Sequence, residues 1–168
     1  RSRSTSSNSS RACVAYAAVT RYKLARLKLA FDEFARGGGL QQRPFARFCA
    51  GQADWLDEYA LYATLRRAHR HQGWLTWERG LRLRDKAALR QAVEHLRGEI
   101  DFERFLQYEF DHQWTALRRY ASRAGVGLIG DIPIFVAHDS SDVWAKRELF
   151  DLNSTGHART MSGTPPDM

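Results

Sequence analysis

The chain reads as an α/β protein that is predominantly helical over its own length, and two observations carry that reading. The first is a set of long segments with apolar residues at helical spacing between residues 21 and 124. The second is one near-continuous apolar run, Val126-Gly-Leu-Ile-Gly-Asp-Ile-Pro-Ile-Phe-Val136, which opens into the polar segment His138-Asp-Ser-Ser-Asp-Val-Trp144. An unbroken Val/Ile/Leu run is the mark of a strand covered by helices on both faces. Polar residues just past the C-terminal end of such a strand are where an α/β barrel or a doubly wound sheet keeps its chemistry.

Residues 1–11, Arg-Ser-Arg-Ser-Thr-Ser-Ser-Asn-Ser-Ser-Arg, are low-complexity and have too little apolar surface to offset chain entropy. They lack acids, as a transit peptide would, but the following Ala12–Val19 is short and weakly apolar for an export signal. A start on Arg rather than Met fits a truncated or misread gene end, and the expected location is the cytoplasm. A first helix is expected over 21–36, from Tyr22, Leu24, Leu27 and Phe34, and it stops at Gly37-Gly-Gly39. That glycine run lacks the Lys-Ser/Thr of a phosphate-binding loop. The expected division is a disordered, low-complexity N-terminal segment over 1–20, a helical subdomain over 21–98 and a helix–strand–loop unit over 99–168.

A second helix is expected from Pro44 to Arg70, with Phe45, Phe48, Trp55, Leu56, Tyr59, Tyr62, Ala63 and Leu65 on its apolar side. Trp74-Leu-Thr-Trp77 breaks the pattern and reads as a loop with aromatic anchors. A third helix spans about Asp85 to Arg97. A fourth starts at Asp101 as N-cap and carries Phe102, Phe105, Leu106, Phe110, Trp114 and Leu117, with Gly125 as its stop. Helix, glycine and buried strand make half of a βαβ unit, and one strand cannot form a parallel sheet. The partner strands are expected outside these 168 residues.

With 43% hydrophobic residues the chain can bury a real core. Cys13 and Cys49 share no CxxC spacing, which suggests free thiols in a reducing compartment. No apolar run approaches the roughly 20 residues that span a bilayer. The net charge of +7 raises the question of nucleic acid, but the charge is unevenly spread. Residues from Gly125 onward hold six acids and three bases, whereas residues 1–124 hold 23 bases and 13 acids dispersed along the helices. No aromatic RNA-binding motif or zinc-finger spacing accompanies them, so a solvated Arg-rich surface is the expectation. A stand-alone glucan- or nucleic-acid-binding module using the basic part is the rival reading.

His138, Asp139 and Ser140 have the residue types of a hydrolase triad, but adjacent residues on one loop cannot adopt triad geometry. Asp139-Ser-Ser-Asp142 more readily caps a short helix over Val143–Leu149. The six histidines show no ligand spacing, so no metal site is expected. Asp131 stands inside the apolar run and must be paired or face a polar cavity. It is either a buried structural carboxylate or a site residue. Trp144 is either a sugar-stacking platform or the anchor of the short helix.

Ile129-Gly-Asp-Ile-Pro-Ile-Phe-Val-Ala-His-Asp-Ser-Ser-Asp-Val-Trp-Ala145, with Glu148-Leu-Phe-Asp-Leu152 and Gly163-Thr-Pro-Pro-Asp167, resembles the 4-α-glucanotransferases of glycoside hydrolase family 77. Gln107-Tyr-Glu-Phe110 with Gln113-Trp114, and Trp55-Leu-Asp-Glu-Tyr-Ala-Leu61, are similar to further motifs of that family. The resemblance implies a fragment of a (β/α)₈ barrel, with residues 21–98 as a helical insertion. It implies transfer of α-1,4-glucan segments between malto-oligosaccharides, with retention and without an external cofactor. Retention needs two carboxyl groups about 5–5.5 Å apart. The family draws these acids from later barrel strands, so none of them is expected in this chain. The resemblance makes Asp131, His138, Asp139, Ser140 and Trp144 substrate-binding or site-organising residues. Pro165, Pro166 and Asp167 would begin a loop covering bound glucan, with Thr164 where the family commonly has Val.

Overall fold

A computed structural model describes residues 14–38 and 42–160, and these are mostly helical. Seven α-helices follow in order: α1 Tyr16–Gly37, α2 Gln42–Gly51, α3 Ala53–Ala68, α4 Arg79–Arg82, α5 Lys86–His95, α6 Arg97–Arg123 and α7 Ser141–Ala145. Single 3₁₀ turns lie at Trp74–Thr76 and Arg147–Leu149.

The core is centred on α3. Leu56, Ala60, Leu61 and Leu65 recur at helical spacing and are all buried against α6 and α7. Trp74, Trp77, Ile100, Val143 and Trp144 complete the cluster, so the core takes side chains from both sides of residue 98. A buried indole needs a partner for its N–H. Trp74 donates to the His138 carbonyl (2.8 Å), Trp77 to Gln72 (3.2 Å) and Trp144 to Leu81 (3.0 Å). A second aromatic layer joins α1 and α2 to α6: Phe31 and Phe34 pack on Phe105 at 5.4 and 5.1 Å, and Phe45 and Phe48 meet Tyr108. Neither α1 nor α2 has a fully buried residue.

Several helix ends differ from the sequence expectation. The helix expected over Pro44–Arg70 is two helices broken at Gln52, whose backbone carbonyl restarts the ladder at Leu56. α1 begins at Tyr16, five residues before the expected start. Asp85, expected only as the approximate start of the third helix, caps α5, accepting from the amides of Ala87 and Ala88. Asp101 is not a cap: α6 starts at Arg97, and the Asp101 carboxylate accepts from Arg104 one turn on. Gly125 ends α6 with φ of +73°, the left-handed conformation that glycine adopts at least cost.

The buried strand expected over 126–136 is the main difference. The described residues contain no strand, only one isolated antiparallel bridge between Leu152 and Ala158. The run leaves α6 as extended chain, with Ile129, Ile132 and Ile134 more than 80% exposed. A ladder needs a neighbouring strand on at least one edge, and the described residues supply none. The pattern of the run is that of a core strand; its environment is not.

Candidate functional site

The polar segment after the extended run is held by the helical part of the molecule. Ser140 caps α7, its hydroxyl accepting from the Val143 amide at 3.3 Å, and Asp142 sits in the first turn where the helix dipole favours an acid. The expected helix over Val143–Leu149 is instead α7 followed by the 3₁₀ turn.

Asp139 is the hub. Its Oδ1 accepts from the Tyr62 hydroxyl at 2.7 Å and from the Trp74 amide at 3.3 Å, and its Oδ2 pairs with Arg66 at 3.1 Å. Tyr62 and Arg66 are one turn apart on α3, so one face of that helix presents a phenol and a guanidinium to a single carboxylate. Burial, reinforced by the bond to Asp139, raises the Tyr62 pKa well above the usual tyrosine value. Gly73 makes the approach possible, since a Cβ there would come within 3.2 Å of Asp139 Oδ1.

His138 continues the clamp. Its ring stacks on Trp74 with centroids 5.2 Å apart and 17° between planes. Its Nε2 lies 2.9 Å from the Gly156 carbonyl, which only accepts, so Nε2 carries the proton. Gly156 has φ of +97°, and a Cβ there would lie 2.5 Å from the Trp74 ring. His138 and Trp74 thereby tie the segment after α7 back to the turn after α3.

The other sequence-derived residues lie elsewhere. Trp144 is completely buried, with Arg84 4.2 Å above its ring, so it anchors α7 and is no open stacking surface. Asp131 is exposed, and its carboxylate accepts only from the neighbouring Ile132 amide at 2.8 Å. It is not the buried acid that the apolar run suggested, because the run itself is uncovered. Pro165, Pro166 and Asp167 lie outside the described residues.

Sequence reading missed Tyr62, Arg66 and Trp74 as site residues. The available signal was a Tyr and an Arg at i,i+4 spacing on an otherwise apolar stripe. Both oxygens of Asp139 are engaged, so the carboxylate anchors the loop and is poorly placed to act as a nucleophile or proton carrier. Beside the loop a cleft of about 420 Å³ is lined by Phe135, His138, Phe150, Asp151 and Thr160. Among the described residues no three His, Cys, Asp or Glu side chains converge on a point that could hold a metal, and no helix is long and apolar enough to cross a membrane.

A family model described as 4-alpha-glucanotransferase matches residues 1–168. A 4-alpha-glucanotransferase of Thermus thermophilus is 41% identical over 155 residues, covering 92% of this chain. One from Synechocystis is 40% identical over 156 residues, again 92% of this chain. The solved amylomaltase of Streptococcus agalactiae, in complex with acarbose, superposes with a TM-score of 0.86 at 27% identity and covers 92% of this chain. In all three cases this chain spans 31% of the other protein's length.

Proposed function

The chain belongs to the 4-α-glucanotransferase family, and on that premise we propose that it forms part of an enzyme that moves α-1,4-glucan segments between malto-oligosaccharides. The observation that supports this most directly is the family match over residues 1–168, together with 40–41% identity to two named relatives over 92% of the chain. In this reading residues 21–98 are a helical insertion beside a (β/α)₈ barrel, and 99–168 contribute one helix–strand–loop unit of that barrel. The protein works in the cytoplasm.

The described residues act as scaffold. Residues 126–136 are a barrel strand whose neighbours come from the part of the family fold that this chain does not span. The reacting carboxylates of a retaining transfer come from that part too. His138, Asp139, Ser140 and Trp144 organise the loop at the mouth of the barrel: Asp139 fixes it to α3, His138 to the Trp74 turn, Ser140 starts α7 and Trp144 seats it. By the family resemblance Asp131 would face the glucan, and the Pro165-Pro166-Asp167 stretch would begin the loop that covers it.

A chimera tests this. Residues 14–160 would replace the matching segment of the Thermus thermophilus relative. Glucose release from maltotriose by the folded chimera, and none by this chain alone, is the expected result. A folded but inactive chimera, or turnover by the isolated chain, would overturn the proposal.

A further inference from the structure

The segment Asp54-Trp-Leu-Asp-Glu-Tyr-Ala-Leu61 is only half explained by packing. Leu56, Ala60 and Leu61 face the core and are buried. Trp55, Glu58 and Tyr59 lie on the side of α3 that turns toward the start of α7. There a groove of about 160 Å³ opens, with room for a single sugar ring.

Its makeup is that of a saccharide contact. Trp74, Trp77 and Trp144 are all buried, whereas Trp55 remains 40% exposed; Trp114, 41% exposed on α6, lines no part of this groove. The Trp55 indole N–H donates to Gln52 Oε1 at 2.7 Å, which fixes the ring from its edge and leaves its face open. Tyr59 lies 6.1 Å away, tilted by 56°, so the two rings form an angled floor. Polar groups of both kinds stand around it: carboxylates of Asp54, Glu58 and Asp142, and the ammonium of Lys146. Glu58 Oε1 is taken by Arg84 at 2.6 Å, but its Oε2 is buried and accepts from no described group.

A pyranose has an apolar C–H face that lies on an aromatic ring and a rim of hydroxyls that both donate and accept. We propose that the groove between the first turns of α3 and α7, floored by Trp55 and Tyr59 and edged by Asp54, Glu58, Asp142 and Lys146, binds one glucose unit of an α-glucan. The choice of an α-glucan rests on the function proposed above. The presence of the site rests on the groove itself. The groove is lined by α7, which starts two residues after Asp139, so it lies beside the clamped loop.

The test is titration of this chain with maltoheptaose, followed by isothermal titration calorimetry, with cellohexaose as the β-linked control. Saturable binding of maltoheptaose is expected, at least tenfold weaker in Trp55→Ala, largely kept in Trp55→Phe and reduced in Glu58→Gln. Near-UV circular dichroism checks that the Trp74, Trp77 and Trp144 core is intact in each variant. Absence of binding by the unaltered chain, or equal binding by it and a folded Trp55→Ala chain, overturns the groove. Equal affinity for cellohexaose overturns the α-glucan. None of these outcomes bears on whether the chimera is active, so the groove can fail while the family function stands.

Discussion

The Tyr62 hydroxyl donates to the Asp139 carboxylate at 2.7 Å, joining positions 77 residues apart, and Arg66 closes on the second oxygen of the same carboxylate. This contact determines where the loop after the extended run sits. Asp139→Asn weakens the pairing with Arg66 while keeping an oxygen for Tyr62. Tyr62→Phe removes the donor. Each is expected to cost about 1–2 kcal/mol, at the low end for bonds to charged groups because Asp139 and Arg66 are each about 40% exposed. Hydrogen exchange should show residues 137–145 opening faster in both variants than global unfolding explains.

The raised pKa of Tyr62 carries a pH consequence of fixed sign. Its folded value lies above the unfolded value of about 10. The stabilisation is therefore complete below about pH 10 and is lost as pH rises from there toward the folded value. Alkaline unfolding of the unaltered chain should be steeper than that of Tyr62→Phe. Coincident curves would show that folding does not raise the Tyr62 pKa, by burial or by the bond to Asp139.

Glu103 is 3% exposed and is held by Arg67, whose guanidinium also lies 5.9 Å above Phe102. Removing only the cation leaves a buried carboxylate unpaired. Arg67→Met should therefore cost about 3 kcal/mol, and the double variant Arg67→Met with Glu103→Met should recover most of it. Urea melts of the four proteins in that cycle measure the coupling. An additive result would mean that the pair contributes nothing beyond its two separate side chains.

Local rules were readable where the deciding atoms are close in sequence. Asp85 caps α5 with its own carboxylate, and Gly125 stops α6 with its own backbone. The apolar stripe Leu56, Tyr62, Leu65 announced the core face of α3, although Trp55, read with it, is 40% exposed. Asp101 misled because a good cap residue followed by a periodic run is the same signal whether the helix starts there or one turn earlier. Asp139 was visible as a candidate but not as a hub, because its partners Tyr62, Arg66 and Trp74 are distant in sequence and only packing brings them together. The run 126–136 has the composition of a core strand, but burial is a property of neighbours, and the described residues contain none for it.

Gly156 and Gly125 both have positive φ, but their surroundings differ. A Cβ at Gly125 meets nothing within 4 Å, so Gly125→Ala should cost only the backbone term of about 1 kcal/mol. At Gly156 the Cβ would run into the Trp74 ring, adding an overpacking cost of about 1–3 kcal/mol. Thermal melts should therefore rank Gly156→Ala well below Gly125→Ala. The Gly156 variant should also lose the near-UV signature of the Trp74–His138 stack, which Gly125→Ala keeps.

The exposed apolar run yields the last prediction. Ile129, Ile132 and Ile134 lie in extended chain with open edges, and Phe110, Trp114, Leu117 and Tyr120 expose a second apolar surface on the same α6 that precedes it. Open edges and contiguous apolar surface drive self-association. The isolated chain should associate reversibly, with the associated fraction rising with concentration in sedimentation velocity. Ile134→Lys removes apolar surface that supports no internal contact, so it should change the stability of the isolated chain by no more than about 0.5 kcal/mol while lowering its association. In the chimera, where this run is proposed to sit between neighbouring strands, the same lysine should be far more damaging. A buried unpaired charge there should cost several kcal/mol and abolish maltotriose turnover. If Ile134→Lys were harmless in both settings, the run could not be a barrel strand. If it were damaging in both, the isolated chain would already bury Ile134 in a way that its 89% exposure contradicts.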